Sequence, residues 1–109
     1  MDKKMLLVLT NAVEGREQEF NDWYTNQHLR DVLAVPGFTA AQRFEIQGEP
    51  VNGTRWNYCA IYEVEHDDPA EALRDLTSRA GTEAMPMSDA LRESLCCALY
   101  APLTERVTA

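Results

Sequence analysis

Three stretches of this chain repeat at the two-residue period of a β-strand and are apolar on both faces: Lys4–Asn11, Trp56–Glu65 and Leu95–Ala101. In the first, Met5, Leu7 and Leu9 alternate with Leu6 and Val8. In the second, Trp56, Tyr58, Ala60, Tyr62 and Val64 alternate with Asn57, Cys59, Ile61 and Glu63. Successive strand side chains point to opposite sides of a sheet, so a sheet built from these segments must be shielded from water on both sides. A fourth stretch, Phe38–Gln47, sets Ala40, Gln42, Phe44 and Ile46 against Ala41, Arg43 and Glu45.

Two segments between these strands carry the helical period. From Arg16, residues Phe20, Trp23, Tyr24, Gln27 and His28 follow i, i+3, i+4, i+7, i+8 spacing, while Glu19, Asn21 and Asp22 fall outside the stripe. The helix or a short successor runs on through Val32 and Leu33 and stops before Pro36, because proline disfavours helical geometry in the residue before it. Asp68-Pro69-Ala70-Glu71 starts a second helix with a carboxylate at the N-cap, Pro at N1 and Glu at N3. That helix carries Ala72, Leu73, Leu76 and Ala80 and ends near Gly81. A short helical turn is expected from Ser88 to about Glu93. The order is β-α-β-β-α-β, an α+β chain of the ferredoxin-like type with a four-stranded antiparallel sheet. Two helices cover only one face of such a sheet. The other face calls for a partner, most economically the same face of a second copy related by a two-fold axis, so a homodimer is expected.

At 109 residues the chain has room for one core, and one domain over residues 1–109 is expected. A formal charge of −8 with no basic stripe repels phosphate backbones and anionic lipid, which argues against nucleic-acid and membrane partners. After Met1-Asp2-Lys3-Lys4 the apolar run Met5–Leu9 is too short for a signal peptide or a membrane span, so a cytoplasmic protein is expected. Cys59, Cys96 and Cys97 make an odd count and read as small core residues in a reducing compartment. No His or Cys cluster has metal-ligand spacing, and no Gly-rich phosphate loop or nucleophile elbow is present, so no metal or cofactor is expected.

The stretch Phe20-Asn21-Asp22-Trp23-Tyr24-Thr25-Asn26-Gln27-His28-Leu29-Arg30-Asp31-Val32-Leu33-Ala34-Val35-Pro36-Gly37-Phe38, closing with Arg43-Phe44, resembles the dimeric α+β barrel superfamily, and most of all its EthD-like members. Their features are a Trp-Tyr pair, a His a few residues later and a Val-Pro-Gly-Phe turn. The resemblance covers about the first 45 residues. It implies a pocket between the sheet and the helices with His28 at its rim or inside it. The superfamily includes cofactor-free monooxygenases, cyclases, lyases, isomerases and haem-binding enzymes, so fold alone does not choose a reaction.

His28 is the leading acid/base candidate, since an imidazole titrates near neutral pH and its spacing from Tyr24 and Phe20 puts it at the edge of the buried helix face. The competing reading places it at a helix C-terminus, bonding to free carbonyls. Tyr24 shares the inner stripe and is suited to donate to a phenol or carbonyl oxygen, or else is a core tyrosine with a satisfied hydroxyl. Substrate contacts are expected from Asn11 at the end of the first strand, from Trp23 as a pocket wall, from Arg43 toward a carboxylate and from Tyr62 by stacking. The structural alternatives are turn chemistry for Asn11, packing for Trp23, pairing with Glu45 or Glu63 for Arg43, and core or dimer interface for Tyr62. His66, beside Asp67 and the capping Asp68, reads as structural.

Together these residues lead to a cofactor-independent enzyme acting on a small apolar oxygenated aromatic or polyketide-like substrate, with His28 moving the proton. Two alternatives belong to other classes. One is a haem-binding or haem-degrading monooxygenase of the same fold, and the other is a non-catalytic ligand-binding dimer.

Overall fold

The computed structural model describes residues 3–109, so Met1 and Asp2 lie outside the described residues. The strands are β1 (Lys4–Ala12), β2 (Phe38–Glu45), β3 (Tyr58–Val64) and β4 (Leu91–Tyr100), and the helices are α1 (Glu17–Trp23), α2 (Leu29–Leu33) and α3 (Pro69–Arg79). Neighbouring strands are antiparallel in the order β2-β3-β1-β4. With the chain order, this is the ferredoxin-like arrangement. Between α1 and α2, Tyr24–His28 forms a π-helical turn whose flanking residues keep right-handed helical angles, so Glu17–Leu33 is one continuous helical arm.

Strand register sorts the two faces. One row across the sheet is Phe44, Cys59, Leu9, Leu95, and the next is Arg43, Ala60, Val8, Cys96. The second row and its neighbours face the helices. Leu6, Ala60, Tyr62 and Val64 are buried there against Phe20, Tyr24 and Val32 of the arm and Ala72 of α3. Burying a Leu, Val or Phe side chain in this way stabilises the fold by about 1.5–3 kcal/mol each. The first row lies on the face without helices, where Met5, Phe44 and Leu95 remain 39%, 42% and 47% exposed.

The start of α3 follows its sequence signal: Asp68 Oδ1 accepts from the Glu71 N–H at 3.2 Å, with Pro69 in the first turn. The turn into β2 requires Gly37, whose φ is +99° and where an added Cβ would meet His66 Cδ2 at 2.9 Å. His66 Nδ1 accepts from the Asp68 N–H at 2.8 Å, a local structural bond.

Four expectations are corrected. Strand β4 begins at Leu91, where a helical turn to Glu93 was expected, because Leu91 and Glu93 pair with Ala12 and Asn11 and the Val13 N–H bonds to Ala90 O at 2.8 Å. Long-range pairing overrides the local helical signal there. Gln27 is exposed although it lies on the helical stripe, because a π turn accommodates an extra residue and shifts the phase beyond it. His28 lies inside the helical arm and not at its end, so the capping reading does not hold. The cysteines, all free, are half-buried at positions 59 and 97 and exposed at 96 instead of being core.

Candidate functional site

Between the helical arm, α3 and the sheet lies a cavity of about 220 Å³. Val8, Tyr62, Ser94 and Cys96 form its sheet side, Tyr24, His28 and Val32 its arm side, and Leu76 and Thr77 of α3 with the following Ala80 another side, and Met85 and Met87 complete the lining. The walls are mainly apolar. The volume falls below the about 300–1,000 Å³ usual for drug-sized ligands, which limits an occupant to a small molecule.

His28 is only 9% exposed, and its Nδ1 is buried without a hydrogen-bond partner. The ring stacks on Trp23 at 4.7 Å and meets the Tyr24 ring edge-on, also at 4.7 Å. Burial lowers its pKa from the ordinary 6.5 to about 4, with Asp31 opposing the shift and Arg43 adding to it. The imidazole is therefore neutral at pH 7. With Nδ1 unbonded, nothing on that side of the ring selects one tautomer.

Tyr24 and Tyr62 join their hydroxyls at 2.7 Å across the interior. Burial raises the pKa of both, and the positive charge of Arg43 opposes that rise. In such a pair one hydroxyl donates to the other, which leaves one phenolic proton for another acceptor. Arg43 stands behind the pair and does not line the cavity. Its guanidinium lies 4.4 Å from the Tyr24 ring centroid and donates to Thr25 Oγ1 at 2.9 Å and Asn21 Oδ1 at 2.8 Å. The alternative pairing with Glu45 or Glu63 is not formed; Glu63 instead pairs with Lys3.

Asn11 and Trp23 also lie away from the cavity lining. The Asn11 amide donates to Arg55 O and Glu93 Oε2, both at 2.9 Å, and its Oδ1 accepts from the Asn57 N–H at 2.8 Å. Every polar atom of that buried amide is engaged in tying β1 to β4 and to the approach to β3. Trp23 supports His28 by stacking and donates from Nε1 to Pro86 O at 3.3 Å. The structure thus brings His28, Tyr24 and Tyr62 together at the cavity and places Arg43, Asn11 and Trp23 outside its lining.

The sequence matches a family described as a domain of unknown function, DUF4286, over residues 4–84, which span β1 to α3. The chain belongs to the DUF4286 family. Among curated proteins none matches it. Among solved structures it is similar to the crystal structure of an EthD family protein from Bacillus halodurans. The two share 20% identity over 74% of this chain and 89% of that one, with a TM-score of 0.46.

In this DUF4286 chain, β4 and its Ser94 and Cys96 lie outside the matched span. Sequence reasoning did not find those two, nor Thr77, Met85 and Met87, as cavity residues. The inward alternation of Ser94 and Cys96 was the available signal, hidden by a bulge in the β1–β4 pairing between Leu6 and Val8. Asp31 was missed too. It lies three residues after His28 on the same arm, the spacing of helical neighbours, and its Oδ2 is buried without a partner. Among the described residues no three His, Cys, Asp or Glu side chains converge as metal ligands, and no helix is long and apolar enough to cross a membrane.

Proposed function

We propose that the cavity binds a small, largely apolar, oxygenated aromatic or polyketide-like molecule and that His28 takes a proton from it without a cofactor. The observation that carries this reading is a mainly apolar cavity lined by His28, Tyr24 and Tyr62, where the His28 Nδ1 is buried without a partner and the Tyr24–Tyr62 pair keeps one uncommitted hydroxyl proton. A buried polar group left unbonded costs about 1–3 kcal/mol, which a ligand oxygen and its proton recover.

An imidazole whose pKa is about 4 is a base only toward an acidic donor. A phenolic O–H or a C–H flanked by carbonyls is among the more acidic donors a small organic ligand offers, and transfer from it runs uphill until the ion pair it forms is stabilised. The proton moves to the imidazole. A phenol keeps the electron pair on its oxygen, whereas the C–H pair of a dicarbonyl forms the C=C bond of an enolate and pushes charge onto the carbonyl oxygen, and in either case the free tyrosine proton bonds to that oxygen. The resulting imidazolium and oxyanion attract each other at close range, which offsets part of the cost of charging a buried ring. Isomerase, cyclase, lyase and oxygenase outcomes all begin with that transfer. A cavity of this volume is too small for a porphyrin, which counts against the haem reading. The exposed apolar face carrying Met5, Phe44 and Leu95 supports a homodimer as the working unit.

The test pairs binding with proton exchange. Small phenols and 1,3-dicarbonyl compounds are titrated against Trp fluorescence, and deuterium uptake at the acidic carbon of a bound dicarbonyl is followed in heavy water. Binding together with exchange that falls about 100-fold in His28→Gln supports the proposal. Absence of both from the wild type refutes it.

A further inference from the structure

Arg43 is a half-buried cation that the fold does not neutralise. Its hydrogen bonds go to uncharged acceptors, Thr25 Oγ1, Asn21 Oδ1 and Asn21 O, and among the described residues no carboxylate forms an ion pair with it. Its guanidinium is instead surrounded by rings, with centroids at 4.4 Å for Tyr24, 5.4 Å for Phe20 and 5.7 Å for Tyr58. A structural arginine on the inner face of a sheet is ordinarily stabilised by a carboxylate, because an unpaired charge away from water is costly. The aromatic faces and neutral acceptors hold this one in place and leave its field acting on what lies beyond Tyr24.

Beyond Tyr24 lies the tyrosine pair, and beyond that the cavity. We infer that Arg43 is a positioning residue for negative charge, acting through the Tyr24–Tyr62 pair, so that the cavity selects molecules whose oxygen is bound as an anion, a phenolate or an enolate. This rests on the reading of the cavity as a small-molecule site and names the charge state it takes. A neutral ligand oxygen gains one ordinary hydrogen bond from the free hydroxyl proton. An anionic oxygen gains a charge-assisted bond, roughly twice as strong, and the attraction of a half-buried cation, weakened on its solvent side but not on the side of the rings.

The other ionisable groups around the pair are few. Cys96 of β4 and Cys59 of β3 are thiols whose pKa burial raises, so they stay neutral at pH 7. His28 is neutral for the same reason, and Asp31 of α2 acts on His28. Glu45, two residues along β2, acts electrostatically on Arg43. Of these, Arg43 is the group whose positive field bears on both tyrosines.

The probe is 4-nitrophenol, whose absorbance reports its ionisation. It is titrated with pH, free and bound to wild type, Arg43→Gln and Arg43→Lys. Glutamine keeps hydrogen bonding to Asn21 or Thr25 without the charge, and lysine keeps the charge. Bound to wild type, the probe should ionise at least about one pH unit lower than when free, a tenfold or greater preference for phenolate. Arg43→Gln should abolish that preference while still binding the neutral phenol, and Arg43→Lys should restore most of it. Wild-type binding with ionisation unshifted overturns the role of Arg43 and leaves the cavity reading standing, and needs no variant to fold. An equal shift in wild type and folded Arg43→Gln overturns it as well. Failure of wild type to bind the probe at all refutes both.

Discussion

Acid should destabilise this protein through His28, and the effect can be isolated by substitution. The folded ring has a pKa of about 4 because burial disfavours its charged form, whereas in the unfolded chain it returns to the ordinary value near 6.5. The unfolded state therefore binds the proton more readily, and the stability held by the neutral ring is fully present above pH 6.5. It is lost as the pH falls from 6.5 through 4. At 1.36 kcal/mol per pKa unit, the interval amounts to about 3 kcal/mol. Carboxylates titrate over part of the same range, so the measurement is a difference. Urea unfolding of wild type and His28→Gln at pH 7, 5.5 and 4 should show the variant losing about 3 kcal/mol less than wild type on acidification. The imidazole resonances of folded His28 should titrate with a midpoint near 4. A midpoint between 6 and 7, or parallel pH–stability curves for the two proteins, would refute the assignment of His28 as a desolvated neutral ring.

Three further outcomes are expected. Light scattering should give a particle of twice the chain mass at micromolar concentration, and Leu95→Glu, which charges the exposed apolar face, should shift it toward the monomer; a wild-type monomer overturns the homodimer. Asn11→Ala should cost about 1–3 kcal/mol in urea unfolding, since it strands the Asn57 N–H and the Arg55 carbonyl, and should leave phenol binding unchanged; reduced binding by a folded variant would return Asn11 to the site. Tyr62→Phe removes one hydroxyl of the buried pair and should lower stability by about 0.5–1.5 kcal/mol, with phenol affinity read by fluorescence falling alongside; unchanged values for both would mean that the pair carries neither load.

The fold was largely legible because its signals are local and repeat. Alternation in Met5–Leu9 and Trp56–Val64 marked two strands and their two faces, and Asp68-Pro69-Ala70-Glu71 marked a helix start that the Asp68 cap bears out. Boundaries were less legible where pairing partners set them, as at Leu91, whose strand geometry is imposed by Ala12 across the sheet.

The candidate site divides in the same way. Residue type and helical spacing by themselves placed Tyr24 and His28 on the inner side of one helix, and alternation put Tyr62 on one face of its strand with Tyr58 and Ala60, and Arg43 on one face with Ala41 and Glu45, without deciding which face is inward. Those are properties of neighbours along the chain, fixed by backbone geometry. Whether Arg43 meets a carboxylate or a cage of rings, whether Asn11 is free or fully bonded, and whether His28 is charged depend on side chains brought in from distant segments. Asn11 bonds to residues 44 and 82 positions away, and Tyr24 to one 38 positions away. Desolvation of His28 likewise exists only once the helical arm has closed over the sheet, so its charge state was decided by tertiary packing.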